Sequence, residues 1–163
     1  MSEQKLLVQQ FEQELQTSLK ILKAYPTDKL DVKPAEKSRT AKELIWTMVQ
    51  DLQIAIQGSK GAIDWESILQ PLPVTIDEMI ILFKDYSKKF KTKLLNMKPD
   101  KFKKSKVEFF VAPQKPGKIP YSALAWLLLK DQIHHRGQLS VYYRVAGAKL
   151  PSIYGPTADE PWH

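Results

Sequence analysis

Two of the chain's three histidines stand side by side in Asp131-Gln132-Ile133-His134-His135-Arg136-Gly137-Gln138-Leu139, inside a long apolar run. Asp131 and His135 are four residues apart, so on a helix both project from one face. A carboxylate and an imidazole at that spacing can share one divalent metal, as helical His-x3-His pairs do. They can equally satisfy each other, the carboxylate accepting a hydrogen bond from the imidazole one turn on. Burying a bare carboxylate is costly, so Asp131 must be paired, hydrated or bound to a cation. Thr47 and Asp51 repeat the four-residue spacing earlier in the chain and flank the apolar stripe Leu44, Met48 and Leu52. Facing the last helix, Asp51, Asp131 and His135 would offer two carboxylates and one imidazole, a donor set suited to zinc, iron, nickel or manganese. His134 and Arg136 are the candidates for proton donor and anion clamp.

Four long amphipathic segments must position these groups. The first helix is expected from about Glu3 to Lys23, with Leu6, Leu7, Phe11, Leu15 and Leu19 on its apolar side and Pro26 ending it. The second opens near Thr40, with Glu43 three residues on as the reciprocal partner of a capping box, and closes at Gly58 and Gly61. The third opens on Thr75 and Glu78 in the same way and runs to about Met97. The fourth starts just after Pro120 and runs to about Ala146, with Gly147 as its stop. Its inner stripe reads Leu124, Leu128, Asp131, His135, Gln138 or Leu139, and Tyr142. A glycine within a helix costs about 1 kcal/mol relative to alanine, so Gly137 is expected at a close helix–helix contact.

Between Lys98 and Pro120 the helical pattern breaks. A long irregular loop is expected there, with 107–111 as a short strand or a plug of aromatics. Pro113, Pro116, Gly117 and Pro120 disfavour helix. The tail from Lys149 is expected to cross the helices and bury Ile153, Tyr154 and Trp162. Four helices of this kind make an all-α four-helix bundle, a single domain over residues 1–163.

Composition narrows the function classes. With no cysteine there is no disulfide, thiolate nucleophile or sulfur-ligated zinc. No stretch has the length and apolarity of a membrane span, and the first residues lack the apolar core of a signal peptide. A cytoplasmic protein is the expectation. The net charge is +7, carried by lysine, since only Arg39, Arg136 and Arg144 are arginines. Lysines between Lys84 and Lys106 read as a solvated face or as a footprint for nucleic acid. A nucleic-acid partner ranks last, because there is no reading module and no arginine cluster.

The string from His134 to Arg144, joined to Ala146-Gly147-Ala148-Lys149-Leu150-Pro151-Ser152-Ile153-Tyr154-Gly155-Pro156, resembles the C-terminal signature of the DinB/YfiT-like superfamily. Ser38-Arg39-Thr40-Ala41-Lys42-Glu43-Leu44-Ile45-Trp46 resembles that family's second-helix opening. The resemblance implies an up-down-down-up bundle, commonly a homodimer, that binds a divalent metal through three histidines. Those positions fall here on Thr47, Asp131 and His135, so two of the three are replaced. Asp51 is the stand-in, one turn beyond Thr47. The activities implied are thiol S-transfer and hydrolase-type chemistry on a small-molecule substrate. The competing reading is a non-catalytic dimer acting in ligand binding or stress response.

Overall fold

In a computed structural model that describes residues 1–162, the chain is mostly helical with one small sheet. The long helices are α1 (Glu3–Ala24), α2 (Ala41–Gly58), α4 (Ile76–Asn96) and α6 (Tyr121–Val145). Two short helices, α3 (Trp65–Ile68) and α5 (Pro99–Lys104), and a hairpin of β1 (Lys106–Ala112) with β2 (Lys115–Pro120) complete it. Among the described residues no helix is long and apolar enough to cross a membrane.

The helix starts follow the expected chemistry. Thr40 and Thr75 each accept from the backbone N–H three residues on, while Glu43 and Glu78 reach back to the cap N–H. Each box satisfies two donors that a helix start otherwise leaves open. At the far end of α6, Gly147 takes a left-handed φ of +67° and stops the helix.

Pairing of the long helices follows from their apolar faces. α1 lies against α4 and α6, and α2 against the same two. Phe11 of α1 meets Phe90 of α4 edge-on, with ring centroids 5.0 Å apart. Gln4, at the start of α1, donates to the carbonyls of Leu94 and Met97 at the end of α4, so these helices run antiparallel. α6 runs parallel to α1: Trp126 donates to Glu3, and Tyr143 to the carbonyl of Ile21. Leu7, Ile21, Ile45, Met48, Met79, Leu94, Leu124 and Leu139 fill the space between them and are wholly buried.

Within 98–120 the strand reading of 107–111 holds as part of β1, whereas the rest, expected as irregular loop, is built as a short helix and a second strand. Pro99 occupies the start of α5, where its missing N–H leaves no hydrogen bond unmade. Phe102 is fully buried and meets Tyr121 edge-on. In the two-stranded sheet each strand has only one neighbour, so Pro116 is tolerated. Gln114 turns the hairpin with φ +57°. Val107 plugs the core and half-buried Phe109 packs against it, whereas Phe110 is exposed; both rings lie against Trp65.

Two more expectations are corrected. Gly137 makes no close contact: a Cβ there would meet nothing within 4 Å. The close approach is at Gly58, where a Cβ would fall 2.6 Å from Leu124 Cδ2. In the tail, Ile153 packs against the core, but Tyr154 and Trp162 stay 63% and 62% exposed. Polar bonds hold the rest of the tail: Tyr154 hydroxyl donates to Glu14 at 2.6 Å, and Glu160 pairs with Lys20 at 2.8 Å.

Candidate metal centre

α2 and α6 run antiparallel, and three polar ties, two of them buried, set their register. Tyr121 hydroxyl donates to the carbonyl of Ala55 at 2.9 Å, Gln132 Nε2 to that of Met48 at 2.6 Å, and Tyr142 hydroxyl to that of Arg39 at 2.8 Å. Unmet, the buried Tyr121 hydroxyl and Gln132 amide would cost more than the bonds gain, so the ties resist slippage. This register sets Asp51 of α2 opposite the Asp131–His135 turn of α6.

Asp51, Asp131 and His135 each bring one ligand atom into a group whose members all lie within 4.8 Å of one another. His135 Nε2 is 3.9 Å from Asp51 Oδ2. Neighbouring amides orient both groups. Gln132 Nε2 lies 3.2 Å from Asp51 Oδ2 as donor, and Gln138 Oε1 lies 3.1 Å from His135 Nδ1. A glutamine oxygen only accepts, so the bond assigns the imidazole proton to Nδ1. Nε2 then presents its lone pair toward Asp51, as a metal-binding histidine requires.

The electrostatics call for a positive charge. Asp51 is 6% exposed. Burial first, then the charge of Asp131, pushes its carboxyl up to about 8, against the opposing pull of the Gln132 hydrogen bond and Arg39. Two carboxyl groups and an imidazole thus share a poorly solvated space in which Asp51 resists ionising. A dication would favour the ionised form and meet donors of the right type, two oxygens and one imidazole nitrogen. On donor chemistry, orientation and charge the residues fit a divalent ion.

Thr47, also expected as a ligand, has its hydroxyl engaged by other groups. Its hydroxyl donates to the carbonyl of Glu43 at 3.0 Å and accepts from Arg39 at 2.8 Å. Both the proton and a lone pair are taken, and the Arg39 cation stands over it. Arg39 arrives from the connection before α2, so no helical period could announce it.

Arg136 serves elsewhere. It is 1% exposed, pairs with Glu14 of α1 at 2.5 Å, and donates to Ser18 and to Tyr154. One residue beyond His135 is about 100° further round a helix, so Arg136 faces α1 while His135 faces α2. His134 is exposed, with its ring 5.4 Å from that of His135. The residues that sequence reasoning missed are Gln132 and Gln138 as orienting groups and Arg39 as the cap on Thr47. A glutamine one position after Asp131, inside an apolar run, was the available signal for the first.

Thr47 and Arg39 also line a cleft of about 350 Å³ with Glu43, Trp46 and Leu69, one turn from Asp51.

Comparison with known proteins agrees with this architecture. The model of the DinB family matches residues 1–162. The solved structure of a DinB-like protein from Bacillus cereus superposes with a TM-score of 0.75 at 23% identity, covering 91% of this chain and 95% of that one. A DinB-like protein from Bacillus subtilis gives a TM-score of 0.70 at 23% identity, covering 91% and 97%. At such identity the likeness speaks for the fold alone. Among curated proteins, the uncharacterized protein YrdA of Bacillus subtilis is 45% identical over 42 residues, 26% of this chain. That match spans only 25% of YrdA's own length.

Proposed function

The chain belongs to the DinB family, and from that premise we propose a divalent-metal protein with a centre of Asp51, Asp131 and His135. Its four long helices form the up-down-down-up bundle that carries the centre. The observation that supports this reading most is the meeting of three donor groups, from two helices, within 4.8 Å. A cation bound there would supply Lewis acidity that lowers the pKa of a coordinated thiol or water. The chain's own residues do the rest. Gln132 steadies Asp51, Gln138 fixes the imidazole tautomer, and the cleft beside Thr47 admits a small substrate. The activity class we favour is thiol S-transfer or hydrolysis. Exposed His134, beside His135, is the candidate proton carrier, while Arg136 acts by holding α6 to α1. Zinc, nickel, manganese and iron all suit the donor set. The homodimer is proposed on the family likeness.

Cobalt(II) titration of metal-stripped protein, followed by visible absorption, tests the centre. We expect saturation at one ion per chain, with the signal lost in Asp131→Ala. A parent that gives no ligand-field spectrum overturns the proposal.

A second reading is favoured by Arg39, whose guanidinium sits on Thr47 and already lends positive charge to the region. In that reading the centre is a metal-free polar pair in a non-catalytic ligand-binding or stress-response module. Thr47→His combined with Arg39→Ala would then create an ion affinity that the parent lacks.

A further inference from the structure

Three of the lysines between Lys84 and Lys106 meet Lys60 at the other end of the helices. The last turn of α4, the chain just after α2 and the first turn of α5 enclose a cleft of about 690 Å³. Lys60, Lys93, Lys98 and Lys101 line it, together with Thr92 and Asn96. No acidic residue lines it, and none of the four lysines enters an ion pair among the described residues. Asp100, the acid nearest in sequence, is taken by Lys104 at 3.2 Å.

Four cations facing one hollow repel one another, and the protein walls concentrate their field. Lys60 and Lys93 have a local reason to be there, since helix C-termini favour cations. Lys98 has none: it caps the start of α5, where the local field opposes positive charge, while Lys101 falls in that helix's last turn. The walls are also fixed. Gln4, 7% exposed, holds the carbonyl of Met97 at 2.8 Å, and buried Phe102 anchors α5 against Tyr121.

We propose that this cleft binds a small polyphosphorylated anion. Ammonium groups are compact point charges that suit phosphate oxygens, and the Thr92 hydroxyl and Asn96 amide add neutral donors. The volume falls in the range of small-molecule sites, roughly 300–1,000 Å³. A nucleic-acid strand fits less well, because neither an arginine nor an aromatic ring lines the cleft.

Calorimetric titration with inorganic tripolyphosphate at low ionic strength tests this. The expected result is saturable binding that Lys98→Gln/Lys101→Gln weakens by about tenfold. Lys33→Gln/Lys37→Gln, which removes the same charge from the connection before α2, should change it by less than about twofold. If the cleft double variant melts early, Lys101→Gln alone carries the comparison, with an expected loss of about threefold. Absence of saturable binding, or equal weakening by both pairs, overturns the proposal. So does a DNA duplex that binds more tightly than tripolyphosphate through the same cleft lysines.

Discussion

His135 Nε2 stands 3.9 Å from Asp51 Oδ2, an approach made across two antiparallel helices and not along one. The imidazole therefore reaches a carboxylate far away in sequence, with Asp131 of its own helix as the third member of the group. Long-range ties at Tyr121, Gln132 and Tyr142 hold that approach in place.

Ion binding should release a proton. Without a cation the Asp51 carboxyl titrates at about 8, so below that pH an incoming ion must displace its proton. Affinity for zinc should rise as pH goes from 6 to 8, by up to about tenfold per unit. Calorimetry in buffers of different ionisation enthalpy checks this. Asp51→Asn should abolish the proton release.

Metal-free stability should fall as pH rises. Asp51 titrates near 3.8 when solvated and at about 8 in the fold. Between those values the folded state holds a proton that the unfolded state has lost, so raising the pH favours unfolding. The contribution is fully present below about 4 and is spent by about 8, with a slope of at most about 1.4 kcal/mol per unit. Urea unfolding of metal-stripped protein across this window measures it, and Asp51→Asn should flatten the profile.

Glu14→Gln should be strongly destabilising. Arg136 is 1% exposed, and Glu14 is its carboxylate partner at 2.5 Å. Leaving a buried guanidinium without its counter-charge costs roughly 3–5 kcal/mol. Chemical denaturation reads the loss. A variant as stable as the parent would return Arg136 to the list of residues free to bind an anion.

The two helical glycines should respond in opposite directions. Gly137→Ala adds a methyl group to open space and should stabilise by about 1 kcal/mol. Gly58→Ala drives Cβ to 2.6 Å from Leu124 Cδ2, a side chain hemmed in by the core. Overpacking of that kind costs about 1–3 kcal/mol. Thermal melts of the pair give the sign directly.

Arg39→Gln should strengthen cation binding. The guanidinium bonds Thr47 at 2.8 Å and is among the charges felt by Asp51. Because Arg39 is exposed, the gain should be modest, about two- to fivefold at low salt, and should shrink at high salt.

The helices and the triad were legible because each left a periodic mark. Thr40 with Glu43 and Thr75 with Glu78 announced their helix starts, and Asp131 with His135 shared a face as four-residue spacing requires. Proximity in sequence misled where rotation mattered. Arg136 and Gly137 adjoin His135 but point elsewhere, one into α1 and one to solvent. Thr47 kept its spacing from Asp51 yet lost its hydroxyl to Arg39, which comes from outside the helix. In 98–120 the strand at 107–111 was legible as one of two readings, but the short helix Pro99–Lys104, which lies ahead of Pro113 and is anchored by buried Phe102, was not.

The most direct measurement is the metal content of untagged protein purified without chelators, set beside His135→Ala. We expect about one divalent ion per chain in the parent and none in the variant, with helical circular dichroism unchanged. A metal-free parent that also fails to take up zinc, nickel, manganese or iron would contradict a metal centre at Asp51, Asp131 and His135.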